Sequence, residues 1–211
     1  SSSGADVERG ADDDMTWDEA LEALQGRLGG ERLGSVAENC PSGLLRTQVE
    51  GMPVTLSAAR EMDKSGRIRI LAAAPAELER PVFLEVSRRL PVPVQSLLSD
   101  YEPCSTGREE LDRELYVECS DPDFPPLFFG ETALSALLLA DSHARLILRP
   151  AGGEGPLHTA VGWSARPAIG FDGQLYPSFP RSALNEEETL KRLEGLLRLA
   201  AAAADAARRW R

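Results

Sequence analysis

Residues 44–71 read LLRTQVEGMPVTLSAAREMDKSGRIRIL, and the fold class rests on this segment. Apolar and polar residues alternate in it, and a period of two is typical of strands that bury one face. Turns between the strands are predicted at Gly51–Pro53 and Lys64–Gly66, and a fourth strand follows shortly after. Four strands so close together predict an antiparallel meander. They are Leu44–Glu50, Val54–Ala58, Arg67–Leu71 and Val82–Val86.

Helical periodicity lies on both sides of these strands. Apolar residues spaced by three and four predict a helix over Trp17–Leu28, with Thr16 and Glu19 forming a capping box and Gly29 ending it. Asn185 is predicted to cap a long C-terminal helix, whose acidic start suits the helix dipole. Its apolar face consists of Leu190, Leu193, Leu196, Leu197 and Ala200.

The central part of the chain is mixed. Leu115–Cys119 predicts a strand, and residues 132–148 contain a middle helix. Asp172-Gly173 lies between two short apolar runs and predicts a two-residue hairpin turn. Residues 97–113 and 121–126 are rich in turn formers and predict loops. Residues 90–94 predict an edge strand or an extended loop, and residues 157–163 alternate like a strand.

We therefore expect an α+β fold, with a largely antiparallel sheet on which an N-terminal, a middle and a long C-terminal helix pack. Residues 1–15 are predicted to be a disordered acidic tail, and residues 16–211 a single domain.

Composition restricts the function. The chain of 211 residues carries 34 acidic and 23 basic side chains, a net charge of −11. This excess argues against nucleic-acid binding, which depends on Lys and Arg contacts to phosphates. Three cysteines and two histidines give no disulfide framework and no zinc signature, and we expect no metal and no cofactor. The strong preference for Arg over Lys indicates GC-rich coding DNA and a bacterial source.

No apolar run is long enough to cross a membrane, so this segment is expected not to insert into one. A cytoplasmic location is predicted. Because the chain does not begin with Met, an upstream membrane tether stays open.

The sharpest chemical motif is Cys40-Pro-Ser-Gly-Leu-Leu-Arg46-Thr47, which fits C-x-x-G-x-x-R-[ST]. It resembles the phosphate loop of cysteine-dependent phosphatases, in which a thiolate attacks phosphorus and backbone N–H groups with an Arg hold the phosphoryl oxygens. Such a loop must open a helix, whereas Gly51 and Pro53 disfavour a helix here. The alternative prediction is nevertheless a phosphatase-like hydrolase that uses Cys40 and Arg46.

Other candidates have simpler interpretations. Asp121 and Asp123 could bind Ca²⁺ or Mg²⁺, but no third carboxylate follows at loop spacing, so a solvated turn is expected. His143 and His158 are interpreted as ordinary histidines, and Gly152–Gly155 as a flexible loop without phosphate-loop spacing. Two sets of residues remain. The tryptophans are predicted to be packing residues. The basic C-terminal end is predicted to fray into solvent, and it is the place where an anionic partner could bind. The two sets are Trp17, Trp163 and Trp210, and Arg208–Arg211.

Short motifs follow one another in a particular order along residues 17–205. They are Leu28-Gly-Gly30, Val49-Glu-Gly51, Leu111-Asp-Arg-Glu-Leu-Tyr-Val117 with Asp121-Pro122, Leu138 to Leu148, and Phe171-Asp-Gly-Gln-Leu175. This order resembles a group of uncharacterised bacterial α+β domains, some of which follow transmembrane helices. The resemblance implies a bacterial origin and a tethered domain, and it implies no catalytic residue.

The leading prediction is a non-enzymatic module that interacts with another protein or serves a structural role. Its motivation is the lack of any convergent set of His, Cys and carboxylate residues in the sequence. Two surfaces could serve such a partner, an exposed edge strand or the apolar side of the last helix.

Overall fold

The computed structural model describes residues 14–34, 43–60, 68–89, 101–130, 132–140, 145–150, 168–175, 179–180 and 183–211. The first strands are β1 (Asp14–Met15), β2 (Glu31–Leu33), β3 (Leu44–Val49), β4 (Met52–Arg60) and β5 (Ile68–Pro75). The later strands are β6 (Leu84–Arg88), β7 (Leu115–Cys119), β8 (Arg145–Arg149), β9 (Ala168–Leu175) and β10 (Phe179–Pro180). The helices are α1 (Trp17–Leu28), α2 (Glu109–Glu114), α3 (Phe124–Phe128), α4 (Thr132–Ala140) and α5 (Ala183–Ala207).

Eight of these strands form one antiparallel sheet in the order β2-β3-β4-β5-β9-β8-β6-β7. The α+β class is confirmed, as are the N-terminal helix and the long C-terminal helix. The meander holds for β3, β4 and β5, but the prediction that the fourth strand continues it is wrong. β9 and β8 lie between β5 and β6, because pairing partners far along the chain occupy the edge of β5.

The predicted hairpin turn at Asp172-Gly173 is also wrong. Asp172 is aligned with Leu71 of β5 on one side and with Arg145 of β8 on the other. A residue paired on both sides is in the middle of a sheet, so β9 runs straight through the Asp-Gly dipeptide. The local turn preference is overridden by the backbone hydrogen bonds of two long neighbours.

One face of the sheet is covered by helices. Leu45, Leu56 and Ala72 are aligned across β3, β4 and β5, and each is fully buried. They belong to one apolar cluster with the buried residues of α1, α3, α4 and α5. On the opposite face Ser57 and Leu71 are aligned and also buried.

Helix α1 forms as predicted. The Thr16 hydroxyl accepts a hydrogen bond from the Glu19 N–H at 3.2 Å, which satisfies one of the free donors of the first turn. Gly29 ends the helix with a φ of 72°, a conformation that favours glycine. Arg27 then joins α1 to α5 through ion pairs with Glu187 at 2.6 Å and Glu194 at 3.3 Å.

Helix α5 begins at Ala183, two residues before the predicted cap at Asn185. Its leucines bury one face, as predicted, and its second half replaces leucine by alanine. An alanine face lets a helix axis come closer to its neighbours than a leucine face does. Each of these alanines is at most 1% exposed: Ala200, Ala203, Ala204 and Ala207.

Two local predictions in the middle of the chain are wrong. Helix α2 begins within the predicted loop 97–113, and α3 begins within the predicted loop 121–126. Helix α3 tolerates Pro125 and Pro126 because backbone N–H groups in the first turn of a helix have no acceptor within the helix, so their absence in proline costs no hydrogen bond. The middle helix predicted within residues 132–148 is confirmed as α4, and the alternating residues Leu146 and Leu148 that follow it point into the core as part of β8.

Several predictions lie outside the described residues, among them those for residues 1–13, 90–94 and 157–163. Asp14 and Met15, which we placed in the tail, pair with Pro180 and Phe179. In the described part of the chain, no helix has the length and apolar content to span a membrane.

The C-terminal end is anchored and not frayed, so that expectation is corrected. Trp210 is only 4% exposed, and its ring meets Phe124 edge-on with the centroids 5.3 Å apart. The guanidinium carbon of Arg80 lies 4.0 Å from the centre of the same ring. Such a cation–π contact and the burial of a large ring together fix the end of the chain.

We expect Trp210→Ala to lower the free energy of unfolding by about 3 kcal/mol, because it removes a buried ring from a close-packed site. Urea denaturation followed by far-UV circular dichroism measures the change. Deletion of the exposed Arg211 serves as the control and should cost less than about 0.5 kcal/mol. A loss below about 0.5 kcal/mol for Trp210→Ala would mean that the end is frayed after all.

Candidate functional site

The structure describes only part of the phosphatase-like motif, since Cys40 lies outside the described residues. Arg46 lies in strand β3, aligned with Glu31 of β2 and Thr55 of β4. The backbone around Arg46 is therefore paired with a strand on either side, whereas a phosphate loop would direct its N–H groups at one point. Arg46 lines a shallow recess with Gly30 and Thr47, among other residues.

Asp121 and Asp123 form a turn. The Asp121 Oδ1 accepts a hydrogen bond from the Asp123 N–H at 2.9 Å, just before α3 begins. This is the local bond that aspartate commonly makes in turns. Nowhere in the described ranges do three or more His, Cys, Asp or Glu side chains gather as a metal site would require.

Two of the three tryptophans are packing residues, as predicted, since Trp17 and Trp210 are both buried. Trp17 also donates from Nε1 to the Gly43 carbonyl at 3.4 Å. Trp163 lies outside the described residues, and so do the remaining candidates: His143, His158 and Gly152–Gly155.

Cys104 and Cys119 are neighbouring thiols with little reactivity. The Cys104 Sγ lies 3.8 Å from the Cys119 carbonyl oxygen, and both are free thiols. Burial raises the pKa of Cys119 to about 12, and burial also raises the pKa of Cys104. A thiol that resists ionisation is a poor nucleophile, so this pair serves packing.

The basic end of α5 is engaged with acidic residues. Arg208 lies 3.6 Å from a Glu77 carboxylate oxygen and 3.9 Å from an Asp205 carboxylate oxygen. The place that the sequence suggested for an anionic partner is thus partly neutralised from within the chain.

Beside Arg208 is a cleft of about 300 Å³, which we call the α4–α5 cleft. The residues at its floor are apolar and come from three separate elements, α4, β4 and α5. Helix α4 contributes Leu134 and strand β4 contributes Met52. Ala201 and Ala202 of α5 complete the floor, and their single methyl groups leave the space open. The charged and turn residues at its rim are Glu50, Gly51, Asp205 and Arg208.

The rim includes a tight hairpin turn. Val49 and Met52 are aligned across β3 and β4, so Glu50 and Gly51 alone connect the strands. The predicted turn at Gly51–Pro53 is therefore wrong, because Met52 and Pro53 belong to β4. Glu50 has a φ of 51° and Gly51 one of 77°, the pair of positive values that a type I′ turn requires.

The conformation of Glu50 is unusual for its residue type. Positive φ is costly for residues with a Cβ, and Asn or Gly is the usual choice at this position of the turn. Glu50 is exposed and has no ion pair with any described residue. The turn therefore displays an unpaired carboxylate at the edge of the cleft.

Sequence reasoning missed this cleft, because its floor combines residues some 150 positions apart, such as Met52 and Ala201. One signal was present in the uninterrupted alanines of residues 200–204, which exceed what a single buried helix face needs. The arrangement can hold an apolar or amphipathic group, and the described residues that line it include no Ser, Thr, Cys, His or Lys side chain.

Comparisons with protein-family models, with curated proteins and with solved structures found no match to this chain.

We expect Glu50→Asn to raise the free energy of unfolding by about 0.5–1 kcal/mol, because Asn tolerates positive φ better than Glu does. The measurement is urea denaturation of the variant beside the wild type. Glu50→Gln is the matched control and should change stability by less than about 0.3 kcal/mol. A destabilised Glu50→Asn protein would show that the carboxylate has a structural role in the turn.

We expect iodoacetamide at pH 8 to leave Cys119 unmodified in the folded protein and to modify it in urea, as shown by peptide mass spectrometry. The pKa of the Cys119 thiol is near 9.0 in the unfolded chain and about 12 in the folded protein, so the folded thiol keeps its proton up to a higher pH. The free energy of unfolding therefore falls as pH rises through this interval, and Cys119→Ala should show a smaller fall. Rapid modification of the native protein would contradict the burial of this thiol.

Proposed function

We propose that this chain is a non-enzymatic protein-interaction module, and that the α4–α5 cleft holds one side chain or a short segment of a partner protein. The observation that carries the proposal is the cleft itself, an apolar floor with a polar rim. Its volume of about 300 Å³ lies at the lower end of the range for sites that enclose a ligand. A site of this size suits an anchoring side chain better than a large substrate.

The floor is pre-formed, which supports binding. Met52 is 8% exposed, Leu134 1% and Ala201 3%, so the surrounding structure holds each of these residues in place. Because these side chains are already ordered, little of their conformational entropy is lost when a partner binds. Rigid sites gain affinity for this reason. The small volume of the cleft favours a weak, reversible complex over a permanent one.

The two alternative surfaces have less support. The apolar side of α5 is covered, since Leu193, Leu197 and Ala200 are fully buried. Of the sheet edges, β7 is bridged by Pro103 to Glu118, and β2 is only three residues long. Short edge strands generally limit pairing with other chains.

A cytoplasmic location is part of the same proposal. Cys104 and Cys119 are adjacent and both carry free thiols, which fits a reducing compartment.

The test is a selection of random twelve-residue peptides displayed on phage against the immobilised wild-type protein. We expect wild type to enrich peptides that Ala202→Leu does not retain, because the longer side chain fills the floor of the cleft. Ala136→Leu is the matched control, since Ala136 is exposed on α4 and does not line the cleft. It should retain the same peptides as wild type.

Two results would contradict the proposed function. One is the absence of enriched peptides when folding of the wild type is verified by circular dichroism. The other is equal retention by wild type and Ala202→Leu, which would place binding elsewhere on the surface.

A further inference from the structure

We propose that the partner segment that enters the α4–α5 cleft presents a basic side chain, Lys or Arg, next to apolar residues. This inference rests on the proposed function and adds the chemistry of the partner. It comes from the combination of an apolar floor with an acidic rim.

The rim has an excess of negative charge. Glu50 and Asp205 line the cleft, and Glu77 lies beside it through its ion pair with Arg208. On the rim itself two carboxylates stand against one guanidinium, a formal charge of −1, and the Glu77 carboxylate beside it brings the formal local charge to −2. Arg208 is shared between Glu77 and Asp205, whereas Glu50 has no cationic partner among the described residues.

The geometry of the cleft suits an amphipathic cation. Lys and Arg carry an apolar stem that can lie on a hydrophobic surface while the charged group stays near water. Ala202 is half-buried, whereas Met52, Leu134 and Ala201 are each at most 8% exposed, so the stem would lie mainly on Ala202 with the rim carboxylates nearby. Asp205 and Glu50 are both exposed, so a cation can pair with either of them while staying in contact with water.

The whole chain favours the same partner. A net charge of −11 attracts a basic segment over a distance and accelerates association at low salt. Two copies of the chain carry the same excess, so their mutual repulsion disfavours a second copy as the occupant.

The probe is an acetylated and amidated hexapeptide library in which one position at a time is fixed as Arg, Lys, Leu or Glu. Binding to labelled protein is measured by microscale thermophoresis at 50 mM and 300 mM NaCl. For wild type we expect the Arg and Lys sublibraries to bind at least 5-fold more tightly than the Leu sublibrary. The Glu sublibrary should be the weakest, and higher salt should reduce the difference.

Three variants connect this preference to the rim. Glu50→Gln and Asp205→Asn should each weaken the Arg sublibrary by about 2- to 5-fold, the range for exposed ion pairs. Both should leave the Leu sublibrary within 2-fold of wild type. Glu188→Gln removes one exposed negative charge from α5 away from the cleft and should change nothing.

Each other outcome overturns a stated part of the account. Binding that Ala202→Leu blocks, but that prefers Leu or Glu over Arg, overturns the basic partner and leaves the proposed function intact. A basic preference equally reduced by Glu188→Gln overturns the assignment to this rim. Failure of every sublibrary to bind folded wild type overturns the inference and the proposed function together. Concentration-dependent dimerisation that Ala202→Leu abolishes would make a second copy the occupant instead.

Discussion

The packing of helix α5 on the sheet is the constraint on which the rest of the structure depends. Its buried alanines, among them Ala200 and Ala204, lie against the side of the sheet that β4, β5 and β9 present. That contact closes the core, and α1, α3 and α4 then pack around the same helix. Trp210 continues this packing beyond the last turn of α5, because its ring contacts the ring of Phe124.

The same choice of small side chains produces the cleft. The second half of α5 packs on the sheet through alanines, and two of its alanines, Ala201 and Ala202, line the space beside Leu134 and Met52. The stability of this packing and the cleft therefore come from one property of the sequence. The tight turn at Glu50 places a carboxylate next to this space at a conformational cost that Asn would avoid.

Features set by neighbours in sequence could be predicted, and features set by distant pairing could not. Helix α1 follows from Thr16, Glu19 and Gly29, which act within one turn of the helix ends. Asp172-Gly173 has a strong local turn preference, but two neighbouring strands pair across it and make it part of β9. The cleft escaped prediction for the same reason, because no local pattern brings Met52 to Ala201.

The central claim is that the α4–α5 cleft, formed by the alanine face of α5, is where a partner binds. The most direct measurement is the map of backbone amide shifts in ¹⁵N-labelled protein on titration with a peptide selected on the wild type. The account predicts that the largest shifts occur at Gly51, Ala201, Ala202 and Asp205. Largest shifts at the β2 edge, or at α1, with those four amides unchanged, would contradict it.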